Sequence, residues 1–245
     1  VLEYDGKNFA KIIDTSRYYY RVADTLNRGK ILLGQRPGSG KPSTGAIFEM
    51  KWQSPEYVPA DPLKTPRGTN LMGLTVGDVI NDGRETIVAY KEDDRIQVID
   101  GSGDTLWENR ERFGGSMLYA SIPWDYRGQV ENKWYYPLRL VVWYNKAKKE
   151  SQVIAVQNFD AARMALDQFR YFTKTHIAGL TWDSIGLGPS WKTRDLSGYI
   201  QDFNVGDFDN DGQDELIAAL VIKEGRVALL SEPKSTVIAY ELTSP

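Results

Sequence analysis

Three stretches of this chain repeat one pattern: an apolar strand, a turn opened by Asp and containing Gly, then a fully apolar strand. They are Y-R-V-A-D-T-L-N-R-G-K-I-L-L-G (Tyr20 to Gly34), L-T-V-G-D-V-I-N-D-G-R-E-T-I-V-A-Y (Leu74 to Tyr90) and F-N-V-G-D-F-D-N-D-G-Q-D-E-L-I-A-A-L (Phe203 to Leu220). Asp24, Asp78 and Asp207 fall in one column, and Gly29, Gly83 and Gly212 in another. Such self-similarity has to be explained before any single segment is.

Short runs rich in Val, Ile, Tyr and Trp follow each copy and end in turn residues: F-E-M-K-W-Q, Q-V-I-D-G, L-T-W-D-S and I-A-Y-E-L. Most lead into a short partner strand, which reads as a hairpin. The unit is therefore four strands: strand, Asp/Gly turn, apolar strand, hairpin. Units run roughly over 18–58, 70–109, 116–194 and 198–242, preceded by a half unit over 1–14. In the third unit, Met117 to Trp124 and Leu138 to Tyr144 take the strand roles without the motif. A lone four-stranded antiparallel sheet cannot bury both of its faces, and radial stacking of such sheets solves both burial and edge exposure. The expected fold is all-β: a β-propeller of repeated four-stranded antiparallel blades, with 1–245 forming one propeller or a fragment of one. A flat array or a sandwich fits the unit less well.

One segment departs from the pattern. D-A-A-R-M-A-L-D-Q-F-R-Y-F, Asp160 to Phe172, has strong helix formers, no Gly or Pro, and Asp160 as an N-cap. A short inserted helix is expected near 160–172, covering a sheet edge or facing a partner.

Composition narrows the function classes. With 245 residues, 41% hydrophobic and 12% aromatic, the chain is rich enough in apolar side chains to fold around a core. Its net charge of −3 and lack of a basic block argue against a nucleic-acid partner. It has no cysteine, which excludes disulfides and thiolate chemistry. The apolar runs are strand-length, so no transmembrane helix is expected. Val1 opens in a strand-like run without a leader, and I-A-Y-E-L near the end repeats the strand type of L-E-Y-D-G at the start. A piece of a longer protein with a further blade upstream is the expectation.

The third repeat carries the chemistry. Hard divalent cations take six to eight oxygens at about 2.3–2.6 Å, most easily from alternate positions of a tight loop. Asp207, Asp209 and Asp211 stand at loop positions 1, 3 and 5, Gly212 makes the turn, Gln213 offers a carbonyl, and Glu215 is at position 9. Asn210 and Asp214 are expected to face solvent. An EF-hand would enter a helix with a glutamate at position 12, which is Ala218 here. Calcium bound by the loop between two strands is the reading. The Asp78 copy has Ile80 at position 3 and Thr86 at position 9, and the Asp24 copy has Leu26 and Arg28. The Asp78 copy keeps only Asp78, Asp82 and one carbonyl, the Asp24 copy less, and Arg28 is expected to stand in for the cation.

V-G-D-F-D-N-D-G-Q-D-E-L, Val205 to Leu216, resembles the repeat of FG-GAP/VCBS-type, integrin-like β-propellers, and Val76 to Ile87 resembles a degenerate copy. The resemblance implies calcium held by Asp207, Asp209, Asp211, the Gln213 carbonyl and Glu215. It also implies an extracytoplasmic setting (periplasmic, secreted or surface-exposed) and a role in adhesion, recognition or scaffolding. No F-G…G-A-P pair is present.

Other features read as structural. Gly34 to Ser43 misses phosphate-loop spacing and has Pro42 where Ser or Thr is required. His176 stands alone, as a hydrogen-bonded, partly buried residue. Trp52, Trp107, Trp182 and Trp191 recur in hairpin strands and pack blades. The aromatics around Trp124, Tyr126, Trp134 and Tyr135 are denser than packing needs, and form the candidate surface for a protein or glycan. The leading expectation is a calcium-stabilised recognition or assembly module of a larger exported protein, without catalysis. The alternative is a carbohydrate-binding or carbohydrate-cleaving (glycosidase or lyase) propeller.

Overall fold

A computed structural model describes residues 1–38, 44–123, 131–161, 170–222 and 234–242. The protein is all-β, with one 3-10 turn at Leu71–Gly73 among the described residues. No helix among these residues is long and apolar enough to cross a membrane.

The first hairpin is β1 (Leu2–Tyr4) with β2 (Phe9–Lys11). The first four-stranded sheet is β3 (Tyr19–Thr25), β4 (Gly29–Gln35), β5 (Ile47–Gln53) and β6 (Glu56–Pro62), in that order. The second is β7 (Leu74–Gly77), β8 (Thr86–Tyr90), β9 (Arg95–Ile99) and β10 (Thr105–Arg112). Next comes a separate hairpin, β11 (Tyr119–Pro123) with β12 (Glu131–Tyr135). The third sheet orders β13 (Val141–Asn145), β14 (Glu150–Asp160), β15 (Phe172–Trp182) and β16 (Leu187–Lys192). The short β17 (Leu196–Ser197) pairs with the far end of β15. The last sheet has three strands among the described residues: β18 (Tyr199–Gly206), β19 (Glu215–Ile222) and β20 (Lys234–Glu241).

All named strand pairs are antiparallel, and within each sheet consecutive strands are neighbours apart from β17. Within the span 116–194, the segment starting at Met117 pairs locally as β11–β12, and the four sheet strands lie between Val141 and Lys192. The helix expected near 160–172 falls largely on 162–169, outside the described residues. Its ends are strand instead: Asp160 pairs with Phe172, and Ala161 N–H donates to the Tyr171 carbonyl at 2.9 Å. The helix formers there are outweighed at the margins by β14 and β15. These strands run eleven residues each and bury Val153 to Val156 against Ile177 and Ala178.

The core sits between sheets. Leu33, Ile47, Leu71, Leu74 and Ile99 join the first two sheets, and a larger cluster around Val98, Ile154, Ile177, Ile200 and Leu216 joins the others. The first strand of each sheet lies beside the first strand of the next: β3 by β7, β7 by β13, β13 by β18. Glycine permits two of the closest approaches. A Cβ on Gly77 would stand 2.7 Å from Val142, and one on Gly186 would stand 1.9 Å from the Trp107 indole nitrogen. Trp107 thus packs one sheet against the turn of another. Trp191 lies over Gly179 and donates to Gln152 at 2.7 Å, and Trp182 flanks the core, whereas Trp52 is half exposed against Tyr57.

Polar ties reinforce the same seams. Arg139 bonds both oxygens of Asp202, at 3.1 and 3.0 Å, and the Arg21 guanidinium donates to the carbonyls of Leu71 and Met72. Burial, with the like charge of Arg139 beside it, pulls Arg21 down to about 10.

Candidate metal centre

The acidic loop joins β18 to β19. Val205 and Leu216 are paired across the ladder, so the two strands hold the loop ends at fixed separation. The chain then reverses through left-handed backbone at Asn210 (φ 64°) and Gly212 (φ 88°), which Asn and Gly adopt with least strain. Carboxylates tie the turn from within. Asp207 accepts from Gly212 N–H at 3.1 Å, Asp209 from Asp211 N–H at 3.2 Å, and Asp211 from Gln213 N–H at 2.8 Å.

This arrangement brings together what the spacing predicts. Oxygens of Asp207, Asp209, Asp211 and Glu215 all lie within 4.8 Å of one another, a group that could hold a divalent metal ion. The three aspartates are exposed, while Glu215 is only 3% exposed. One Glu215 oxygen accepts from Phe208 N–H at 2.5 Å, and the other is buried without a hydrogen-bond partner. A buried carboxylate oxygen with no donor carries the full desolvation penalty of its charge. The same carboxylate stands in a group with three more negative side chains. A cation among them would supply the missing partner and remove the repulsion together. Gln213 lies on the same turn, its side-chain amide donating to Asp211 at 3.1 Å.

The Asp78 loop shows what the turn becomes without the acids at positions 3 and 9. Its backbone is the same, with Asn81 at φ 62° and Gly83 at φ 82°, and Asp78 accepts from Gly83 N–H at 2.8 Å. Arg84 folds back onto Asp82, with its Nε 2.9 Å away, and holds that carboxyl below its ordinary value. Thr86, in the column of Glu215, donates to the Gly77 carbonyl at 2.9 Å instead. In the Asp24 turn, Thr25 donates to the Gly29 carbonyl at 2.8 Å. Arg28 reaches Glu49 on β5 at 2.6 Å and not the turn's own aspartate, so it replaces no cation.

Two roles escape a reading of the loop alone. Asp214, expected to face solvent, is half-buried and accepts from the Trp143 indole N–H at 2.9 Å. Glu85, in the same column, accepts from Leu26 N–H at 2.5 Å. Both loops thus grip the preceding sheet with the acid at position 8, and the shared column of Asp214 and Glu85 was the available signal. Asn81 adds a tie onward, accepting from Ser151 N–H at 2.6 Å. The second residue missed is Glu241 on β20, whose carboxyl is pushed up by burial and by the charges of Glu215, Asp211 and Asp209.

Of the aromatic surface, Trp124 and Tyr126 lie outside the described residues. Trp134 and Tyr135 line a cavity of about 180 Å³ with Tyr90, Asn70, Lys133 and Arg170, away from the acidic loop. The Arg170 guanidinium sits 4.1 Å over the Tyr135 ring and 3.3 Å from Asp94. His176 is buried against Phe159, with Nδ1 3.1 Å from Asp195.

Comparison with known protein families, curated proteins and solved structures finds no match to this chain. What stands of the family resemblance is an all-β fold of several antiparallel sheets with a candidate acidic metal cluster.

Proposed function

We propose that the chain is a β-propeller, or part of one, whose last sheet is fastened by calcium. It would serve as a recognition or assembly module of a larger exported protein, without catalysis. The observation that carries the metal reading is the buried Glu215 carboxylate, one oxygen unpartnered, grouped with three aspartates at the β18–β19 turn. The side-by-side order of β3, β7, β13 and β18 supports radial stacking. Calcium suits the loop better than magnesium, because all donors are oxygens on a flexible turn and magnesium demands a near-ideal octahedron. Zinc lacks its usual nitrogen and sulfur ligands there.

The loop is a fastener in this reading, since the same turn at Asp78 keeps its shape through Asp78 accepting from the N–H groups of Asp82 and Gly83, without acids at positions 3 and 9. Melting the protein with calcium, with magnesium and with a chelator tests it. Calcium raises the midpoint, magnesium raises it less, and chelation reverses both. Equal midpoints in all three conditions refute the calcium fastener.

The carbohydrate reading is favoured by one observation, the cavity where Trp134 and Tyr135 stand beside Arg170 and Lys133. Aromatic faces beside charged groups of both signs, Glu92 and Asp94 among them, suit a sugar ring and its hydroxyls. Trp134→Ala abolishing retention on a polysaccharide column, with the melt unchanged, would favour it; no retention of the wild type would remove it.

A further inference from the structure

The β19–β20 register places Glu241 directly opposite Glu215. Directly opposed residues share a sheet face, with Cβ atoms about 5 Å apart, and like charges in such pairs repel. The end of β20 is also held against the loop, because Leu242 N–H donates to the Asp214 carbonyl at 3.1 Å. The charges acting on Glu241 are those of Glu215, Asp211 and Asp209. Neither Glu241 nor any of the four loop acids takes part in an ion pair among the described residues. β20 therefore delivers a further acid to a group that already repels itself.

We propose that Glu241 is a fifth carboxylate of the loop's cation site, brought by β20, acting on the ion through water and through its field. This rests on the reading that the loop holds a divalent cation. Glu241 stands outside the four residues whose oxygens lie within 4.8 Å of one another, so a water-bridged position fits it better than direct contact. Oxygen-only loops tune affinity by the number of carboxylates around the ion, and position 9 of such loops commonly acts through water. Glu241 makes the site tighter for calcium and costs the ion-free sheet some stability. Both effects follow from one charge.

The test is calorimetric titration of calcium chloride into the whole chain and its Glu241→Gln variant, with melts in chelator alongside. Glu241→Gln is expected to weaken calcium binding about tenfold at low salt, and less at about 0.5 M salt, where an outer charge is screened. In chelator the same variant is expected to melt above the wild type, which loss of a merely structural side chain would not produce. Glu241→Asp, keeping the charge, is expected to stay within about threefold of the wild type and guards against a folding defect in the first variant. If the wild type binds calcium and Glu241→Gln binds equally well, Glu241 is no part of the site and the loop reading stands. If Glu241→Gln melts lower in chelator, its role is structural and the proposal fails. If the wild type binds no calcium, the loop reading fails and this proposal with it.

Discussion

Asp209→Ala separates a metal ligand from a turn residue by the sign of its effect. Asp209 is exposed, and its one hydrogen bond within the loop is the 3.2 Å contact from Asp211 N–H. Without a cation the carboxylate does little for the fold and repels three neighbours. At 4.8 Å each repulsion is about 0.9 kcal/mol in bulk water. Asp209→Ala should then melt at or slightly above the wild type in chelator. With calcium at about one hundred times its dissociation constant, binding contributes about 2.7 kcal/mol, or roughly 5–10 °C for a chain of this size. The variant loses that share with its ligand and should fall below the wild type by about this amount. Paired differential scanning calorimetry, with and without calcium, reads the comparison directly. An equal deficit in both conditions would refute the reasoning, since it would make Asp209 a turn residue.

The remaining predictions concern the supports around the site. Arg84→Ala removes an exposed pair with Asp82, so it should cost no more than about 1 kcal/mol by urea unfolding, equally with and without calcium. Gly186→Ala places a Cβ 1.9 Å from the Trp107 indole and should destabilise by about 2–3 kcal/mol, read as a lowered urea midpoint. Asp195 is held below its ordinary value by Lys174 and then His176. Its stabilising share is present above the unfolded value of about 3.9 and is lost as pH falls through the lower folded value. Asp195→Asn should therefore flatten the acid limb of stability against pH below about pH 4, measured by melts across that range.

The β18–β19 and β7–β8 turns are legible in the repeat, because Asp and Gly recur where the backbone needs a bond acceptor and a left-handed residue. The alternating acids of Asp207 to Glu215 were legible for the same reason. Glu241 was not, since its position depends on a register set across the long connection between β19 and β20. Asp214 was misplaced because its indole partner, Trp143, is distant in sequence. Met117 to Trp124 has the composition of a sheet strand, but a local partner in Glu131–Tyr135 takes the pairing for Tyr119–Pro123. Around Asp160 and Phe172, helix propensity yields to a long β14–β15 ladder with a buried apolar face, which no local window contains.

In the proposed reading, one buried glutamate and three aspartates hold an ion at the β18–β19 turn. Calorimetric titration of the folded wild-type chain with calcium, beside Glu215→Gln, tests it most directly. One ion per chain is expected, with loss of binding in the variant. A folded wild type that takes up no calcium at millimolar concentration would contradict it.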